Sequence, residues 1–75
     1  METLGQRLEG MRRRRLMTQA TLAEAAQLSL ITVTRLENAR GDANPRPDTI
    51  KKLAAALNVD PAWLLFGDDD LKAAA

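Results

Sequence analysis

Apolar positions in this chain recur three and four apart rather than alternating, and they do so in five short blocks. Leu4, Leu8 and Met11 fall at i, i+4 and i+7, which predicts one buried face on a helix from about Thr3 to Arg15. Thr18 is a good N-cap for a second helix, Gln19 to about Ala26, whose inner stripe is Leu22, Ala23 and Ala26. The two alanines leave room for another helix to approach closely. After a break at Gln27 and Leu28, Ser29 caps a third helix, Leu30 to about Ala39, with Val33 and Leu36 facing inward. The stretch RGDANPR, residues 40–46, reads as a loop, because Gly41, Asp42, Asn44 and Pro45 each disfavour a continuing helix. Pro47 and Asp48 suit the first turn of a fourth helix, which runs to about Leu57 with Ile50, Leu53, Ala54 and Leu57 on one face; Asn58 ends it. Asp60 caps a short fifth helix, Pro61 takes its first turn, Trp63, Leu64, Leu65 and Phe66 supply a dense apolar cluster, and Gly67 stops it.

With aromatic and β-branched residues scarce and no period-2 alternation, the expected fold is all-α, one five-helix domain over residues 1–67. Residues 68–75, DDDLKAAA, hold too little apolar surface to pack and are expected to form an acidic, frayed tail.

Charge sharpens this division. The formal net charge is only +1, but residues 1–59 hold ten Lys and Arg against six Asp and Glu, a net of +4, while residues 60–75 carry a net of −3. A basic body with an acidic end fits a surface that faces phosphates. The run Arg12 to Arg15 reads either as a solvated helix end, where cations suit the dipole, or as a phosphate contact. The chain has no cysteine and no histidine, which excludes disulfides and removes the usual zinc ligands and the usual general base. No metal, no cofactor and no enzymatic activity are expected. No apolar run approaches the roughly 20 residues that span a bilayer. The N-terminus also lacks an apolar signal region, so a cytoplasmic location away from membranes is expected. A domain of 75 residues has a thin core and gains from a partner, which makes homo-oligomerisation an expectation on size alone.

The second and third helices, joined by a turn of about three residues with small residues where they cross, have the helix-turn-helix arrangement. In that arrangement the second helix of the pair lies in the major groove. The residues themselves carry a resemblance. The string TQATLAEAAQLSLITVTRLEN resembles the Cro and phage-repressor (XRE-type, lambda-repressor-like) family: Gln19, Leu22 and Ala23 match its Q-x-x-L-A signature, and Ser29, Val33, Arg35, Leu36, Glu37 and Asn38 match its third helix. LAAALNVDPAWLL, Leu53 to Leu65, is similar to the family's fourth and fifth helices, so the likeness covers roughly residues 4–67.

The resemblance implies roles. Leu30, Ile31, Thr32 and Arg35 would face base edges in the major groove, with Arg35 donating to guanine or reaching a phosphate instead. Gln19 would touch the DNA backbone and brace the third helix, and Thr18, Thr34, Asn38, Arg40 and Arg14 would contact the backbone around it. Arg12 and Glu37 would form a partly buried ion pair tying helix one to helix three. The fifth helix, through Pro61, Trp63, Leu65 and Phe66, would form a two-fold dimer contact, with Leu64 kept for the core. Two departures stand out. Leu30 and Ile31 are apolar where the family is often polar, which suits thymine methyl groups or packing against a neighbour. The loop from Ala39 to Arg46 is about two residues longer than the usual pattern, and Ala39 stands where glycine is common. The expected function is a sequence-specific transcriptional regulator of repressor type that binds a double-stranded DNA operator as a homodimer. The alternative is a protein-interaction module of the same fold, such as an antitoxin, with a protein partner and with DNA binding secondary; the acidic DDDLK segment hints at it.

Overall fold

Helix starts in this chain are set by side chains. In the computed structural model, which describes residues 2–39 and 44–67, α1 (Leu4–Arg14) opens on a capping box: the Thr3 hydroxyl accepts from the Gln6 amide at 3.2 Å and the Gln6 side chain accepts from the Thr3 amide at 2.9 Å. Thr18 caps α2 (Gln19–Ala26) through the Thr21 amide at 3.0 Å, and Ser29 caps α3 (Leu30–Asn38) through the Thr32 amide at 3.1 Å. Asp60 accepts from the Ala62 and Trp63 amides at 2.7 and 3.3 Å at the head of α5 (Pro61–Phe66). Only α4 (Pro47–Leu57) starts without a side-chain cap; Pro47 supplies a preset φ and removes one N–H that would otherwise need a partner. The expected boundaries hold for α2, α4 and α5. For α1, Thr3 is the cap rather than the first helical residue, and Arg15 the closing cap.

Helix ends carry the surprise. Leu16, Gln27 and Asn58 all sit in the left-handed region, with φ of 56°, 57° and 56°. Each lets the chain fold back on the last turn: Leu16 and Met17 donate to the Arg13 and Arg12 carbonyls at 3.0 Å each, and Leu28 and Val59 repeat the motif at 2.8 and 3.0 Å. Asn tolerates this conformation; Leu does so at a cost of about 1–2 kcal/mol. Ala39, by contrast, leaves α3 extended (φ −69°, ψ 127°), so the place where the family pattern favours glycine requires none here.

The five inner stripes meet in one core: Leu4 and Leu8 from α1, Leu22, Ala23 and Ala26 from α2, Val33 and Leu36 from α3, Ile50, Leu53, Ala54 and Leu57 from α4, and Leu64 from α5. Met11, Met17, Leu28, Trp63 and Leu65 close its margins, half-buried. Helix α1 packs on α3 and on α5, α2 packs on α3 and α4, and α4 packs on α5. The crossing of α1 over α3 is close: a Cβ on Gly5 would lie 2.5 Å from the Leu36 carbonyl oxygen and 2.7 Å from that of Glu37. Both are backbone atoms that cannot swing aside, so this approach requires glycine. Among the described residues, no helix is long and apolar enough to cross a membrane. Arg40 and the 68–75 segment, both named above, lie outside the described residues.

Candidate nucleic-acid interface

The pair α2–α3 presents α3 on the surface, held from behind. Val33 and Leu36 anchor it in the core. Ile31, 63% exposed, and Arg35, also exposed, face away from that anchor; Leu30, three residues before Val33, lies on its flank at 48% exposed, and Thr32 is half-buried at the other edge. Two large aliphatic side chains left partly open to water on the first turn of a short helix form an apolar patch, and covering the exposed part of each would contribute about 1–2 kcal/mol. Neither belongs to the hydrophobic core or to the residues packed against it. Thr32 also shares a hydrogen bond with the Ser29 hydroxyl at 2.8 Å, which fixes its side chain at the helix start.

Behind α3 runs a chain of polar contacts. Arg12 donates through Nε to Glu37 Oε2 at 2.8 Å and through Nη2 to Oε1 at 3.1 Å, with side chains only 12% and 3% exposed. The two-pronged geometry is the strong form of this pairing. The Arg12 pKa is raised above its already high ordinary value, chiefly by the hydrogen bond to Glu37, so its charge is permanent at any physiological pH. Its remaining nitrogen, Nη1, donates to the Met17 carbonyl at 2.8 Å, which pins the α1–α2 turn to the same centre. Gln19 then extends the network: its Nε2 donates to Glu37 Oε1 at 3.1 Å, and its Oε1 accepts from Thr34 Oγ1 at 3.4 Å. Glu37 thus takes three donors from two helices, and Gln19 bridges α2 to α3. Among the described residues no buried side-chain nitrogen or oxygen lacks a partner.

The arginine run divides by role. Arg12 faces inward to Glu37. Arg13 pairs with Glu9 at 2.6 Å on a solvated surface, and Arg14 and Arg15 are exposed. Thr18 is exposed at the α2 start, and Asn38 is exposed at the α3 end. Beside α3 lies an open cleft of about 700 Å³ that brings Thr32 and Arg35 together with Asn44, Arg46 and Thr49. The last three were not among the site residues expected from sequence. Arg46 carried the only signal, a cation in a loop close to the helix pair. On the far side, α5 leaves Phe66 57% exposed and Pro61 exposed, Trp63 and Leu65 half-buried, and Leu64 in the core.

Sequence reasoning also missed Arg7. It is 8% exposed, and its three nitrogens donate to backbone carbonyls: Nε to Leu64 at 2.9 Å, Nη2 to Leu65 at 2.9 Å and Nη1 to Glu2 at 2.8 Å. A buried guanidinium is tolerated here because it meets the carbonyl end of α5, where the unpaired acceptors and the negative dipole end both favour a cation. Its one sequence signal is position: Arg7 falls at i+3 from Leu4, inside the apolar stripe of α1.

Comparison with known proteins places this geometry. A family model described as helix-turn-helix matches residues 8–64. The chain is 37% identical over 68 residues to the HTH-type transcriptional regulator DicA of Escherichia coli (strain K12), covering 91% of this chain and 49% of DicA. It is 36% identical over 66 residues to the HTH-type transcriptional repressor RghR of Bacillus subtilis (strain 168), covering 88% of this chain and 48% of RghR. The chain therefore spans about half the length of these curated relatives. Among solved structures it is similar to the P22 c2 repressor protein in complex with a synthetic operator, with a TM-score of 0.80 and 26% identity over 91% of this chain and 100% of that one.

Proposed function

Since this chain belongs to the helix-turn-helix family of Cro and phage-repressor type, we propose that it is a DNA-binding transcriptional regulator of repressor type that inserts α3 into the major groove as a homodimer. The observation that carries this reading is the state of α3: a helix braced from behind by Arg12, Gln19 and Glu37, with Ile31 and Arg35 open on the outer side and Leu30 partly open at its flank. A rigid helix with an uncommitted outer face is what base-edge contact requires.

In this reading Arg35 donates to guanine O6 and N7, Thr32 takes a base or a neighbouring phosphate, and Leu30 and Ile31 meet thymine methyl groups. Thr18, Arg14 and Asn38 take phosphates on either side, and Arg46 with Thr49 hold one across the cleft beside Arg35. Gln19 and Thr34 act mainly as braces, since their polar ends are already engaged with α3 and α2. Phe66, Pro61 and the exposed parts of Trp63 and Leu65 form the two-fold contact, because an exposed aromatic on a helix this short gains most from self-burial. Two copies then read half-sites about one helical turn, roughly 34 Å, apart.

A salt titration of duplex binding tests the proposal. With Arg14 and Arg46 of each copy neutralising about four phosphates per dimer, log affinity falls against log salt with a slope of roughly −4. Affinity that does not change with salt would overturn it.

A further inference from the structure

We propose that Arg7 is a specificity-determining residue that fixes the distance between the two DNA half-sites by locking the dimer helix α5 to the helix that carries α3; this rests on the reading of the chain as an α5-mediated dimer. Helix α1 lies between the two functional surfaces, packed on α3 and on α5. Its residues divide accordingly. Gly5 and Arg12 are seven apart, so they share one stripe of α1, and both meet α3, Gly5 at the Leu36 and Glu37 carbonyls and Arg12 at the Glu37 carboxylate. Arg7, five residues before Arg12, points about 140° away around the helix and meets α5 instead.

The bonds Arg7 makes are suited to setting an orientation. Helix α5 is also held by apolar packing on α4, but apolar contact is non-directional and tolerates sliding. The Arg7 fork is directional: Nε and Nη2 take consecutive carbonyls, Leu64 and Leu65, at 2.9 Å each, which fixes both the rotation and the position of the last turn of α5. Gly67 borders the same guanidinium. At φ +83° it turns the chain away, and a Cβ there would stand 3.0 Å from Arg7 Nη1. One helix thus carries α3 at one stripe and α5 at another, so the offset between α3 and the two-fold axis is set by α1 with Arg7 at the joint. One base pair of extra spacing moves a half-site by about 3.4 Å and turns it by about 35°. A joint made of directional bonds does not absorb that change, and one made of apolar contact does.

The test measures affinity of the full chain for its selected operator, for operators with spacing changed by one base pair either way, and for an isolated half-site. The parent is expected to lose about a hundredfold on the respaced operators, the loss of simultaneous engagement. Arg7→Lys keeps the charge but not the fork, and is expected to lose about threefold or less on the same operators, with half-site affinity unchanged. The half-site arm serves as the folding control, since an unfolded variant loses it. A dimeric Arg7→Lys protein with the parent's hundredfold penalty would overturn the inference alone, as would a fall in half-site and operator affinity by the same factor. A monomeric parent would overturn the dimer reading and this inference with it.

Discussion

Replacing Glu37 by Gln removes one charge and almost no volume, and the surrounding geometry says what that should cost. The Glu37 carboxylate accepts from Arg12 Nε, Arg12 Nη2 and Gln19 Nε2 at 2.8, 3.1 and 3.1 Å. A glutamine keeps one acceptor oxygen and turns the other into a donor, which must face a guanidinium or an amide N–H. Arg12 would remain charged and only 12% exposed with no compensating carboxylate. Removing one partner of a fully buried pair costs about 3–5 kcal/mol. Arg12 keeps its bond to the Met17 carbonyl and a little solvent, which brings the expected loss to about 2–3 kcal/mol. For a domain this small, with a urea m-value of about 1 kcal/mol/M, the midpoint should fall by roughly 2–3 M. Trp63, the only tryptophan, gives a fluorescence reading of the transition. A double-mutant cycle with Arg12→Met should return a coupling of about 2 kcal/mol. An unchanged midpoint for Glu37→Gln, or additive effects in the cycle, would refute the view that this pair locks α1 to α3.

Three further outcomes follow from single positions. Leu16→Gly should raise stability by about 0.5–1 kcal/mol, since Leu16 is left-handed and 94% exposed; a lower urea midpoint would contradict the strain assigned to it. Gly5→Ala should lower stability by about 1–3 kcal/mol and weaken DNA binding together, because its Cβ would press on the Leu36 and Glu37 carbonyls and displace α3; calorimetry and binding on one preparation check both, and a wild-type melting temperature would refute the close crossing. Replacing thymine by uracil at half-site positions facing Leu30 and Ile31 should weaken binding severalfold, and equal affinity for both duplexes would remove the methyl contacts.

What the sequence made legible was local. Thr18, Ser29 and Asp60 mark helix starts because a short polar side chain satisfies amides two or three residues on, within reach of any pattern reading. The stripes of α2 and α4 were legible for the same reason, as burial there follows the helical period. Arg12 and Glu37 lie 25 residues apart, and only the family resemblance brought them together. Arg7 escaped because its partners are backbone carbonyls 57 and 58 residues away, which have no signature of their own. Gly5 escaped because a close helix crossing is a property of two helices at once. Leu16 escaped for the opposite reason: no residue type announces a left-handed cap except glycine or asparagine. The cleft with Asn44, Arg46 and Thr49 exists only where α4 returns beside α3.

Selection of duplexes from a random pool by the full chain tests the central claim most directly. The enriched sites should be two-fold symmetric, with half-sites centred about one helical turn apart, and Arg35→Ala should relax the preference at one guanine position while leaving the spacing intact. No enrichment over the starting pool, or enrichment of single unpaired sites that Arg35→Ala leaves unchanged, would contradict a dimeric regulator that reads DNA through α3.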